Sequence, residues 1–306
     1  MGSGWDHVSD SEPRPGEGSG HQVTDLLRRG GIVPSEVDES AADDDMTPES
    51  AFERTLEEGR RRLGRSTAAL IATGFVGGVD VATGVLAFLV VKESTGNEML
   101  AGLAFSIGFI ALTMARSELF TENFLVPVVT VIARQCTVGK LLRLWVGTTV
   151  FNLAGGWVVT LFVIDGYPDL RSTAVESGHT YVAFGLGWRA FSLAVLGGLV
   201  ITLMTWMQHT TESIGAKLTA AVAAAFLLGA GTLNHAIVAS LMMFAALHTH
   251  HASFTYLQWA QAASFAALGN MVGGVGLVTL LRLLQVPERV LHQRANPSHE
   301  VASRRG

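Results

Sequence analysis

The 306-residue chain has a single cysteine, Cys136, and only 15% of its residues are charged. One thiol cannot build a disulfide framework, so a secreted disulfide scaffold is excluded. Soluble globular proteins carry about 25% charged residues, and the shortfall argues against a soluble enzyme. The formal net charge of −5 lacks the basic surplus that a nucleic-acid binder needs. No nucleophile elbow, phosphate loop or metalloprotease motif occurs. What is plentiful is apolar: 49% of residues are hydrophobic and the mean hydropathy is +0.37. Uncharged runs rich in Gly, Ala, Leu and Val are too long for buried strands or core helices. The chain reads as an all-α polytopic membrane protein.

Charge is unevenly placed. Residues 1–50 hold 12 acidic and 3 basic residues, whereas residues 51–306 hold 14 and 18. Segment 1–46 has few apolar clusters to offset the entropy of ordering, so it reads as a disordered acidic cytoplasmic tail, with a regulatory arm as the alternative. It lacks the basic start and apolar core of a signal peptide. Over 47–65 an amphipathic interfacial helix is expected, with Thr47 as cap, Pro48 at the first position and Glu49 in the first turn. Phe52, Leu56 and Leu63 fall on one face, opposite Arg60, Arg61 and Arg62, so the helix can lie along the bilayer surface. A channel domain follows over 66–285, and 286–306 reads as a C-terminal cytoplasmic tail.

Six spans are expected at 67–91, 100–133, 141–164, 181–207, 218–250 and 257–284. The basic residues Arg60, Arg61, Arg62, Arg65, Arg134, Lys140, Arg143, Lys217, Arg282, Arg289 and Arg294 fall on one side. Only Lys92, Arg171 and Arg189 fall on or near the other, so the positive-inside rule predicts both termini in the cytoplasm. The second and fifth spans are too long. Each would make a helix of about 50 Å against a hydrocarbon core of about 30 Å. Each also has a polar interruption, Met114-Ala-Arg-Ser-Glu-Leu-Phe-Thr-Glu-Asn123 and Gly229-Ala-Gly-Thr-Leu-Asn-His235. Unpaired backbone at membrane depth is tolerated only where protein or a wet cavity satisfies it. Two broken helices meeting near the midplane are therefore predicted. Asn152-Leu-Ala-Gly-Gly156 in span three returns as Asn270-Met-Val-Gly-Gly274 in span six, so 67–164 and 181–284 read as two inverted three-helix repeats. Asn152, Gly155, Gly156, Asn270, Gly273 and Gly274 are also candidates for close helix packing.

Glu118-Leu-Phe-Thr121, following Ala101-Gly-Leu-Ala-Phe-Ser-Ile-Gly108, resembles the second-helix break of the formate/nitrite transporter family. Asn234-His235-Ala-Ile237, followed by Leu241-Met-Met, resembles its fifth-helix break, and Asn270-Met-Val-Gly-Gly274 its sixth-helix motif. Over residues 65–285 the resemblance implies an aquaporin-like six-helix protomer in a homopentamer with one pore each. It also implies passage of small monovalent anions or their conjugate acids, with no enzyme activity, cofactor or metal. An imidazole at membrane depth is costly and usually faces a cavity, and its charge changes near neutral pH. His235 is thus the candidate proton donor or relay, which lowers the cost of about 2.5–3.5 kcal/mol or more for a bare charge at the bilayer centre. Thr121 is its expected partner, and Asn234 and Glu122 complete the candidate pore lining. By position relative to Thr121, Phe105, Phe109, Leu119 and Phe120 match the family's constrictions, with Ile201 and Leu228 as further candidates.

Some residues depart from the family pattern. Glu122 stands where the family has a small residue, and a carboxylate facing the pore would oppose anions. Asn234 and Ala239 replace an acid and an asparagine found in several members. The pore-mouth lysine of some members has no match between Lys140 and Lys217. Arg116 is expected to pair with Glu118 or Glu122, or else to attract anions in the pore, and Asp80 to be a structural acid or to lie at a protomer contact. His248, His250 and His251 cluster at the outer end of span five, where metal binding is the lesser alternative to solvation. The rival functions are a channel for a neutral solute or water and, further off, an intramembrane enzyme or sensor built on those histidines.

Overall fold

A computed structural model describes residues 48–298, and among them every regular element is helical. The acidic segment expected over 1–46 lies outside the described residues, as do Thr47 and residues 299–306. The opening helix is present as α1, Pro48–Leu63. Phe52, Leu56 and Leu63 are buried, as their spacing predicts, but their cover is this protein rather than the bilayer surface. Phe52 and Leu56 cluster with Leu125, Val126 and Val129, and Leu63 with Val128 and Leu141. Each such side chain contributes about 1.5–3 kcal/mol. Gly59 makes the approach possible, because a Cβ there would strike the Thr130 hydroxyl and the Val126 carbonyl.

The first span is α2, Thr67–Thr95, capped by Ser66 and ended by Gly96 in the left-handed region at φ 64°. The second is discontinuous: α3 (Glu98–Ala104), α4 (Ser106–Ala115), a 3₁₀ turn (Phe120–Phe124) and α5 (Val126–Ile132). The third is α6, Val138–Gly166. A helix not read from the sequence, α7 (Arg171–Ala183), precedes the fourth span, α8 (Trp188–His209). The fifth is split into α9 (Ile214–Ala230) and α10 (Ala236–His248). The sixth runs through α11 (Tyr256–Met271), a π-helical segment (Val272–Thr279) and α12 (Leu280–Leu283). A further helix, α13 (Pro287–Ala295), gives the C-terminal segment local structure.

The fourth span starts at Trp188 rather than at 181. Apolar Tyr181–Leu186 looks continuous with it, but Gly185 has φ 64° and ends the α7 chain direction. Four spans and the α3–α4 unit are each long and apolar enough to cross a membrane. The fifth is not one helix: α9 and α10 have 17 and 13 residues, about 26 and 20 Å against a 30 Å core.

The inverted repeat is visible bond by bond. In the first half Asn152 Oδ1 accepts the Phe120 N–H at 2.8 Å, and its Nδ2 donates to Gly74 O (2.7 Å) and Glu118 O (2.8 Å). In the second half Asn270 Oδ1 accepts the Ala236 N–H at 2.8 Å, and its Nδ2 donates to Ala194 O (2.7 Å) and Asn234 O (3.1 Å). One asparagine on each third helix thus ties the first helix of its repeat to the break in the second. Close contact is needed for this reach. A Cβ on Gly78 would overlap the Asn152 carbonyl, and one on Gly198 the Asn270 carbonyl. Gly155 and Gly273 meet the Phe75 and Val195 carbonyls in the same way. The pairs Gly77-Gly78 and Gly197-Gly198 were a second repeat signal in the sequence, overlooked beside Asn-x-x-Gly-Gly.

Two outcomes are expected. Gly78→Leu and Gly198→Leu each prevent recovery of folded protein, while Gly139→Ala, whose Cβ meets nothing within 4 Å, is neutral by size-exclusion chromatography. Asn152→Leu strands two buried backbone groups of the break, the Phe120 N–H and the Glu118 carbonyl, at about 1–3 kcal/mol each, so the thermal midpoint of purified protein falls by at least about 5 °C.

Candidate functional site

The two breaks bring Thr121 and His235 together. Thr121 sits in the 3₁₀ turn after the α4 helix, and His235 is the residue just before α10, with φ −88° and ψ 122°. His235 Nδ1 accepts the Val238 N–H at 3.3 Å, a side-chain cap on the α10 N-terminus. An accepting Nδ1 carries a lone pair, so the ring proton is on Nε2 in the neutral tautomer. Nε2 lies 2.7 Å from Thr121 Oγ1 and can donate to it. Both residues are fully buried. The ring is therefore fixed at both nitrogens, by a helix end on one side and a hydroxyl on the other.

The proposed constriction residues are buried as well. Phe105, Phe109, Leu119, Ile201 and Leu228 are fully buried, and Phe120 is 5% exposed. All six belong to one apolar cluster. Phe105 and Phe109 meet at a tilt of 54° with centroids 5.7 Å apart, and Phe120 meets Phe124 edge-on at 4.8 Å. The same cluster also holds Phe88, Tyr181, Met242 and Leu112, which line two separate cavities. One, of about 80 Å³, is bounded by Phe88, Lys92, Ser177, Tyr181, Thr232 and Met242 among others. The second, of about 330 Å³, lies on the α1 face between Arg62, Leu112, Arg116, Glu122, His209 and Lys217.

Charges at the larger cavity are arranged differently from the helical-wheel expectation. Arg62 does not share the outer face with Arg60 and Arg61; its side chain is 11% exposed. Its Nε pairs with Glu58 (2.7 Å) and Glu118 (3.1 Å), and its Nη1 donates to Asn123 Oδ1 at 3.2 Å. Burial works against the Arg62 charge, but Glu118, Glu58 and Glu122 more than offset this and raise its pKa. Burial likewise pushes the Glu58 carboxyl up, yet the Arg62 and Arg61 guanidiniums hold it below the ordinary carboxylate range. Glu118 is paired with Arg62 and with Arg65 at 2.8 Å, not with Arg116. Arg116 instead ends α4 in the left-handed region at φ 53° and lines the cavity, making no ion pair among the described residues. Sequence reasoning missed Arg62 because azimuth on one helix does not reveal a buried carboxylate on another.

The remaining candidates are placed as follows. Glu122 lines the same cavity, with Oε2 accepting the Leu119 N–H at 2.9 Å. Asn234 is buried, and its Nδ2 donates to Ala190 O at 3.3 Å, so its amide ties the fifth-span break to α8. Asp80 accepts a hydrogen bond from Ser117 and links α2 to the second-span break. His248 Nε2 is 3.1 Å from Trp157 O, with its ring edge-on to the indole. Among the described residues no group of three or more His, Cys, Asp or Glu is placed to hold a metal. Lys92 was noted only as a loop charge, yet it lines the smaller cavity and pairs with Glu98 (3.2 Å) and Glu176 (3.1 Å).

The family profile described as formate/nitrite transporter matches residues 49–284. The chain is 25% identical over 277 residues to the inner membrane protein YfdC of Escherichia coli K12, covering 86% of this chain and 87% of that one. It is 24% identical over 246 residues to the formate channel BtFdhC of Bacillus thuringiensis, covering 76% and 92%. Among solved structures, an FNT family ion channel superposes with a TM-score of 0.69 at 18% identity, over 78% of this chain and all of that one. A pentameric formate channel with formate bound gives 0.58 at 18% identity, over 71% and 96%. With the family profile spanning most of its length and the fold of those channels around its two breaks, this chain belongs to the formate/nitrite transporter family.

Proposed function

We propose that the protein is a membrane channel or transporter for small monovalent anions of the formate and nitrite kind, or their conjugate acids. His235 is the central proton donor or relay, with Thr121 as its partner. The observation that carries this reading is the 2.7 Å contact between His235 Nε2 and Thr121 Oγ1 where the two broken helices meet. A ring whose Nε2 proton faces a hydroxyl can exchange that hydrogen bond for one to a carboxylate or nitrite oxygen. That hydrogen bond disperses the anion's charge at the place where a bare charge costs most, and the proton that neutralises the anion enters from the aqueous side, since the neutral imidazole keeps its own Nε2 proton unless it is replaced at Nδ1. Phe105, Phe109, Leu119, Phe120, Ile201 and Leu228 form the dry constrictions, which a neutral acid crosses more readily than an ion. Asn234 supports the site through the backbone, since its carbonyl receives the Asn270 amide.

Membership of a transporter family and the formate channel from Bacillus thuringiensis support the anion reading. The pentameric formate channel of the same fold supports a homopentamer in the lipid bilayer, with one pore per protomer. A second reading, a channel for a neutral solute or water, is favoured by the neutral tautomer of His235 and the apolar surroundings. The positive-inside rule assigns both termini to the cytoplasm in this reading. The basic residues used for that orientation gather on one face: Arg60 donates to Gln135 at 3.0 Å, Arg143 to Arg65 O at 3.0 Å, and Arg289 pairs with Glu53 at 3.6 Å.

In proteoliposomes, labelled formate or nitrite uptake is expected to rise with an inward proton gradient and to fall at least tenfold in His235→Phe. Water or neutral-solute flux without anion flux would replace this reading with the second one. For orientation, a C-terminal epitope tag is expected to resist protease in intact spheroplasts and to be removed in inside-out vesicles; the reverse pattern rejects the assignment.

A further inference from the structure

The α1-face cavity has a charge balance that the pore mechanism above does not use. Its wall carries the carboxylates Glu58, Glu118 and Glu122 and the cations Arg61, Arg62, Arg116 and Lys217. Most of these are already matched. Both oxygens of Glu58 are held by Arg61 at 2.7 and 2.8 Å, with Arg62 on one of them, and Glu118 is held by Arg62 and, from behind the wall, Arg65. Arg116 and Lys217 make no ion pair with a carboxylate among the described residues. Glu122 is 5% exposed and fixed by its bond to the Leu119 N–H, so its charge cannot swing out of the cavity. The histidine on the wall, His209, is mostly uncharged at pH 7 when unperturbed. With Arg65 counted beside the Glu118 that it pairs with, cations outnumber carboxylates around the cavity, and the net positive charge is focused by low-dielectric walls.

Size does not select here. At about 330 Å³ the cavity has room for about ten waters, so a formate-sized anion enters with part of its hydration shell. Selection must come from charge. We propose that this cavity is a monovalent-anion binding site, with Arg116 and Lys217 holding the anion and Glu122 as the counter-charge that disfavours dianions. The site rests on the anion reading above and adds to it a residue that sets valence. Glu122 thereby acquires a use, where a carboxylate beside an anion pore would otherwise only repel. The smaller cavity differs, because its cation Lys92 is already clamped between Glu98 and Glu176. Anion affinity is therefore greater on the α1 face, while the equilibrium direction of flow is unchanged.

The test uses full-length protein in oriented proteoliposomes, with labelled formate as permeant and oxalate as the competing dianion on the α1 face. In Glu122→Gln the oxalate concentration for half-inhibition is expected to fall at least fivefold and formate half-saturation to fall by only about the square root of that factor, because the repulsion removed scales with ligand charge. Arg116→Asn, which suits the left-handed backbone, and Lys217→Gln are each expected to raise formate half-saturation at least threefold from that face and not from the other. Oxalate inhibition within twofold of wild type in folded Glu122→Gln protein overturns the proposal, as does unchanged formate half-saturation in both cation variants. A wild-type protein that moves no formate or nitrite would reject the anion reading instead. Calorimetric titration of detergent-purified protein with oxalate then decides the site separately: binding tightened at least fivefold in Glu122→Gln supports it, and unchanged binding overturns it.

Discussion

Backbone amides and carbonyls freed by a helix break cannot be left bare at membrane depth, and the architecture is arranged around meeting that demand. Each unpaired group there costs several kcal/mol. Asn152 and Asn270 answer it with one acceptor and one donor apiece at the break, and a second donor to the first helix of the repeat. Because each also bonds the first helix of its repeat, the same bonds that satisfy the breaks fix their positions. The diglycine pairs then follow as a requirement of distance: the asparagine reaches only if the helices touch through backbone.

Placing two breaks at one level sets up the chemistry. Thr121 and His235 are 114 residues apart, yet both are held by short elements whose ends are capped, one by Asn152 through Phe120 and the other by His235 itself through Val238. A side chain that caps a helix has little rotational freedom. The imidazole is therefore presented in one tautomer and one orientation, and it is fully buried. The ionised groups sit at a remove from the ring, in pairs that connect α1 to the second-span break.

The sequence and the structure part company at recognisable places. Broken spans two and five were legible because a run too long for the bilayer with polar residues in its middle has few other solutions. The Asn-x-x-Gly-Gly repeat was legible because inversion follows from an odd number of spans. The start of span four was misplaced since hydropathy is blind to a left-handed glycine at 185. The face of α1 that carries Arg62 was misjudged since its partner, Glu118, lies on the loop that breaks the second span. Lys92 was seen as a loop charge, and only its neighbours Phe88 and Tyr181 identify a cavity there.

By itself, the sequence determined the membrane class, the number of spans and the two interruptions. These are local properties: composition, periodicity and run length act along the chain and need no partner. The tertiary structure alone decided that Thr121 meets His235, that Arg62 turns inward to Glu118, and that Arg116, Lys217 and Glu122 share one cavity. Electrostatics and hydrogen bonding act across space over a few ångströms, and no order of residues along a chain states which distant side chains will come that close.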